Sequence, residues 1–225
     1  MKKDILIEII EHLSQFSADY QSDKTYTLKD FIGYLNASVG VEKTAMRKIE
    51  GEQERQIQTI REESNSDVSI LITLLFRYAK GYIKKALQNS SIQTVDEFAF
   101  LITLMTHDSL TKTELVNKQI MEKTSGVDVI KRLINQNLIQ EFSDKNDKRS
   151  IRVIITPQGK EELEKVLPEM AKVSKIVVGN LTNPEINTLS YLLKKLDFFH
   201  NDIFMNKRNA NLNDILNEVN INKSY

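Results

Sequence analysis

The chain has 225 residues, and its 31 Lys and Arg balance 31 Asp and Glu, so the formal net charge is zero. It contains no cysteine and three widely separated histidines, His12, His107 and His200, which excludes disulfides, thiol catalysis and cysteine-ligated zinc and leaves no HExxH-like ligand spacing. Only seven glycines and three prolines punctuate it, a composition that favours long helices, and the neutral balance argues against a uniformly cationic nucleic-acid binder while allowing a local basic patch.

Residues 2–20 place Ile5, Leu6, Ile9, Ile10, Leu13 and Phe16 on one helical face. Acids interrupt the apolar stretch, so an amphipathic helix is expected here rather than a signal peptide. No apolar run approaches the roughly 18 residues of a membrane span. The expected location is cytoplasmic, with no membrane partner. A polar turn over residues 22–27 leads to a second helix, capped by Thr27 and holding Leu28, Phe31, Ile32 and Leu35. Residues 42–63 carry eleven charges of mixed sign and read as an exposed connecting helix, weakened at Gly51. Fewer than about 40 residues rarely bury enough surface to stand alone. The two N-terminal stripes are therefore expected to pack on a dimer scaffold, and their excess of acids over bases makes them a poor phosphate-binding arm.

A helix-start signal at residues 64–67 opens the next helix, with Val68, Leu71, Ile72, Leu75, Tyr78, Ala79, Tyr82, Ile83 and Leu87 at helical spacing. Leu74 and Phe76 widen its apolar surface beyond one stripe, which calls for more than one packing neighbour: its own core and a second subunit. Thr94 and Glu97 fit a capping box, as do Thr111 and Glu114. A third helix is expected from about Glu122 to Gln136, with Val129, Ile130, Leu133 and Ile134 inward. Three short helices joined by tight turns form a helix-turn-helix. The period then changes: residues 138–142 and the β-branched residues 151–155 read as two strands around a polar, charged tip. Thr156 and Pro157 restart a helix that continues through Val166 and Val173, with a bend expected at Pro168. A last long helix starts at residues 183–185. The tail from Asn206 holds seven asparagines and reads as weakly ordered, with one short helix conceivable through Leu212, Ile215, Leu216 and Val219.

The run from Asp144 to Gly159, DKNDKRSIRVIITPQG, is similar to the wing of the MarR family of bacterial regulators. Asp147-Lys148-Arg149 match its acid-basic-Arg tip, Val153 to Ile155 its β-branched strand, and Thr156 and Gly159 its Thr-x-x-Gly. Residues 130–139 resemble the end of its recognition helix, with Asn137 where glycine is usual. The likeness covers about residues 66–204; residues 1–65 have no counterpart in the usual short member. It implies a mainly α winged helix-turn-helix with a β-hairpin wing. It also implies a homodimer with recognition helices in adjacent major grooves and wing tips in the minor groove. Release of DNA by a small-molecule effector often accompanies this arrangement. The expected organisation is an N-terminal extension over 1–65, a dimerisation helix over 66–93, a DNA-binding region over 94–158, C-terminal dimerisation helices over 159–205 and the Asn-rich tail over 206–225.

On that resemblance the DNA-contacting set is Thr111, Lys112, Thr113, Lys118, Lys123, Thr124, Ser125, Asp128, Lys131 and Arg132 on the helices. The wing adds Lys145, Asp147, Lys148, Arg149 and Arg152. Short polar groups at the N-terminal end of a groove-facing helix reach base edges, and the cations neutralise phosphates. Taken singly, each reads more readily as a solvated surface position, and the resemblance reverses that weighting for the group. Asp128 departs from the family pattern; it can accept from a cytosine amine or pair with Lys131 or Arg132. Segment 143–152 has four basic and two acidic residues, a local excess on a neutral chain. Tyr78 and Tyr82 read first as an aromatic ladder in the dimer core and second as the wall of an effector pocket. No nucleophile–base pair, phosphate-cradling glycine loop or paired-carboxylate motif occurs, so no catalysis, cofactor or metal is expected. The expected function is transcriptional regulation, repression above activation. The rival reading is a winged-helix protein-interaction module docking through residues 1–65, and steep salt dependence of binding separates the two.

Overall fold

The computed structural model describes residues 2–19, 26–39, 66–144 and 149–223. The charged connecting segment and the wing-tip residues Lys145, Asn146, Asp147 and Lys148 lie outside the described residues. Two compact units divide the chain, Met1–Asp67 and Val68–Tyr225. In the first, helices α1 (Lys2–Asp19) and α2 (Leu28–Val39) pair through Phe16 and Phe31, the buried residues of a ring cluster. Phe16 meets Phe31 edge-on at 5.4 Å and Tyr26 at 5.6 Å. Thr27 stands just before α2, its N–H and hydroxyl both donating to the Asp30 carboxylate at 2.7 Å while its carbonyl accepts from Asp30 and Phe31 N–H.

The second unit runs α3 (Ser66–Ala86), α4 (Val95–Met105), β1 (Leu110–Thr111), α5 (Lys112–Lys118), α6 (Lys123–Asn135), β2 (Ile139–Ser143), β3 (Ile151–Ile155), α7 (Pro157–Val178), α8 (Asn183–Asn206) and α9 (Leu212–Lys223). It is a mainly helical winged helix with one small antiparallel sheet. The hairpin expected over 138–155 is present, with Glu141 opposite Val153. A third strand, β1, adds to its other edge by pairing Leu110 with Val153 and Thr111 with Arg152. Two residues are too few to leave an alternation pattern, so β1 escapes a periodicity reading. The tail contains a full helix, α9, begun by Asn211, whose side-chain oxygen accepts from the N–H groups of Asn213 and Asp214 at 3.0 Å. Helix α7 runs on through Pro168.

The core lies between the helix-turn-helix, the sheet and α7. Phe100, Leu101, Leu115, Ile130, Leu133, Leu138, Val153 and Leu163 are fully buried in one cluster with Leu87 and Ile92. Burying each such side chain stabilises the fold by about 1.5–3 kcal/mol. Two glycines let backbones approach within it. A Cβ on Gly126 would stand 2.4 Å from Val116 Cγ2, so glycine here allows α6 to cross α5 closely. A Cβ on Gly159 would stand 2.0 Å from the carbonyl oxygen of Leu138. The Thr156 hydroxyl draws these segments together, donating to Asn137 O at 2.7 Å while accepting from Gly159 N–H at 2.9 Å.

Glu162 on α7 fastens the loop before α4. Its carboxylate accepts from the Lys165 ammonium at 2.9 Å and from the Ser91 hydroxyl and N–H at 2.7 and 3.1 Å. The Lys165 bond, then those from Ser91, hold its pKa down at about 2, from 4.5. A carboxyl whose folded pKa is depressed adds stability above its unfolded pKa and loses it as pH falls through the folded value. Glu162→Gln is therefore expected to be less stable than the parent near neutrality, with the gap closing between pH 4.5 and about 2. Denaturant titrations of both proteins across that range check it, and a gap independent of pH would contradict the assignment.

Candidate nucleic-acid interface

Helices α5 and α6 form the helix-turn-helix, and their ends explain its shape. Thr111 and Glu114 make the full capping box that starts α5: Glu114 N–H donates to Thr111 Oγ1 at 3.1 Å and Thr111 N–H to Glu114 Oε2 at 2.7 Å. The Thr111 bonds lower the Glu114 pKa. Helix α5 ends in a Schellman turn, with Met121 N–H on Val116 O and Ile120 N–H on Asn117 O. Ile120 takes the left-handed position at φ 54°, an arrangement that costs a β-branched residue roughly 1–2 kcal/mol. The same turn ends α6 with Asn137 at φ 58°, a conformation asparagine tolerates. Thus Asn137 does the work of the usual glycine.

Helix α6 buries Gly126, Val129, Ile130 and Leu133 on its inner side. Lys123, Thr124, Ser125, Asp128 and Lys131 lie exposed on the opposite side. Asp128 pairs with Lys131 at 3.3 Å, both well exposed. Such a pair contributes little in water, which leaves the ammonium able to exchange carboxylate for phosphate. Lys118 and Thr113 are exposed on α5, and Lys112 bridges to Glu141 of β2 at 2.5 Å.

Two arginines of the expected set are engaged inside the domain. The Arg132 Nε donates to the fully buried carboxylate of Glu97 at 2.9 Å. That carboxylate also accepts from Gln93 N–H at 2.7 Å, in place of the Thr94 N–H that a complete capping box would use. Arg152 binds Ser109 Oγ and O at 2.8 Å each and Asp144 at 3.0 Å, tying the base of the wing to the corner before β1. Arg149 is exposed on the approach to β3.

Lys112, Thr113, Lys123 and Arg149 converge on an open groove of about 510 Å³ between wing and helix-turn-helix, floored by Val116, Val127 and Ile151. Arg208, from the turn between α8 and α9, lines the same groove. Nothing in its sequence surroundings points there, because it sits in an Asn-rich stretch 87 positions from the Met121 carbonyl it contacts. Tyr78 and Tyr82 stand on α3 and do not line this groove.

Residues 96–159 match the family model of a winged helix DNA-binding domain. The chain is 26% identical over 100 residues to the HTH-type transcriptional repressor NicR of Pseudomonas putida, covering 44% of this chain and 63% of NicR, less than two thirds of that protein. Its fold resembles that of MarR from E. coli, seen in complex with operator DNA, at TM-score 0.55 and 24% identity over 58% of this chain and 93% of that one. A second likeness is to Bordetella bronchiseptica BpsR, whose DNA binding is regulated by 6-hydroxynicotinic acid, at TM-score 0.55 and 22% identity over 58% and 98%. Likeness at these identities establishes the fold.

Proposed function

We propose that this chain, which carries the winged-helix fold of the MarR regulators, is a non-catalytic transcriptional regulator that binds duplex DNA as a homodimer. The observation that carries the proposal is the exposed polar face of α6 set beside a groove walled by Lys112, Lys123 and Arg149. That face presents Thr124 and Ser125 to base edges, and the cations meet phosphates on either side. Lys145, Asp147 and Lys148 would extend the wing contact, and Lys118 and Lys131 the helical one. Arg132 and Arg152 serve the interface chiefly by holding it together.

Dimerisation is supported by apolar side chains that lie exposed among the described residues. On α3 these are Val68, Leu71, Leu75 and Phe76; on α8 they include Tyr191, Leu192 and Phe198, the last 82% exposed. Patches of this kind mark association surfaces. Repression follows the example of NicR, and regulation by a small acidic molecule that of BpsR; Tyr78 and Tyr82 are the residues of this chain proposed to wall such a pocket. No helix among the described residues is long and apolar enough to cross a membrane, consistent with a cytoplasmic regulator.

Selection from a random DNA pool tests the proposal. The expected product is an inverted repeat with half-sites about 10 base pairs apart, bound with steep salt dependence. Sedimentation equilibrium is expected to give twice the 26.0 kDa chain mass. A folded monomer that recovered no motif, or only single asymmetric ones, would defeat it.

A further inference from the structure

The family match ends at residue 159, yet a residue far beyond it reaches the interface. Arg208 sits in a tight turn between α8 and α9. Lys207 N–H donates to Ile203 O at 2.8 Å and Ala210 N–H to Lys207 O at 2.9 Å, while Lys207 pairs with Glu218 of α9 at 2.5 Å. The guanidinium lies over the Phe204 ring at 4.5 Å. Its Nη2 donates to Met121 O and forms an ion pair with the Glu122 carboxylate, each at 2.9 Å, just before α6 begins. An arginine has five N–H donors in a fixed fork. Among the described residues Nε and Nη1 have no acceptor, and the side chain is one-third exposed on the groove it shares with Lys112, Lys123 and Arg149.

We infer that Arg208 is a phosphate-binding residue of the DNA interface, held in place by Phe204, Met121 and Glu122, so that the C-terminal turn completes a groove the winged helix alone leaves open. The inference rests on the DNA-binding reading above. The chemistry is a charge-assisted hydrogen bond from the unused edge of the fork to a phosphate oxygen. Glu122 orients the guanidinium, and Arg208 in turn offsets a carboxylate that would repel the backbone at the start of α6.

The test is the salt dependence of binding to a mixed-sequence DNA duplex. Each phosphate contact contributes about 0.9 to the slope of log K against log salt. Arg208→Gln is expected to flatten the slope by about one per subunit and to weaken binding roughly tenfold near physiological salt. Arg208→Lys keeps the charge and the stem on Phe204 and is expected to keep the slope. The same comparison in a Glu122→Gln background isolates direct contact from charge neutralisation, and the slope is expected to fall there too. A parent slope in Arg208→Gln would overturn the inference. So would a slope change that vanishes in the Glu122→Gln background, or one that appears equally in Arg208→Lys together with lost helicity. Salt-independent binding, or none, by the parent protein would instead overturn the DNA-binding reading itself.

Discussion

Gly159→Ala is expected to destabilise the domain by about 3 kcal/mol or more, a large share of the roughly 5–15 kcal/mol that keeps such a domain folded. The added carbon would stand 2.0 Å from the Leu138 carbonyl oxygen and 2.9 Å from Ile155 Cγ1. The first is backbone, held by Thr156 N–H at 3.0 Å, so the clash cannot be relieved by a rotamer change. Relief requires α7 to lift away from the start of β2, which breaks the Thr156 bridge to Asn137. Gly81, with nothing within 4 Å of a built Cβ, is the matched control. Gly81→Ala is expected to be neutral or to stabilise, by up to about 1 kcal/mol, because alanine is the better helix former. Denaturant midpoints check both, and equal midpoints for the two variants would contradict the packing account.

Arg149→Ala is expected to weaken operator binding by roughly 1–3 kcal/mol, a loss of about 5- to 150-fold, with dimerisation unchanged. Arg149 is exposed at the edge of the groove and absent from the buried core, so truncating it removes little packing. A guanidinium suits the negative potential of a narrow minor groove. Binding isotherms at matched salt, alongside sedimentation of both proteins, give the answer. Parent affinity in the variant would remove the wing from the interface.

Local chemistry made much of this architecture legible. The Thr111–Glu114 box, the Thr156 cap and the β-branched run of β3 stand where short-range spacing placed them, because each depends on partners within three or four residues. Long-range partners left no such trace. Glu97 reads as a capping-box acid, yet its carboxylate turns to Gln93 and to Arg132, 35 positions away. Arg132 and Arg152 look like solvent-facing cations because nothing local reveals the buried carboxylate or the Ser109 corner that engages them. The asparagines of the tail masked α9, since composition weighs every position equally while a helix needs only one apolar stripe and a start signal at Asn211. Arg208 could be found only by folding the chain.

The Glu97–Arg132 pair has a consequence for genetics. On the proposed function, a screen for variants that no longer control a target gene is expected to recover changes at Arg132 as well as at Arg149, but by a different route. Losing Arg132 takes the paired cation from a fully buried carboxylate and leaves it the Gln93 N–H, and destabilisation of even one or two kcal/mol can lower cellular abundance several-fold. Losing Arg149 is expected to leave the protein plentiful but weakly bound. Immunoblotting the two classes of mutant would sort them, and an allele map drawn without that step would extend the apparent DNA-contact surface into the interior of the domain.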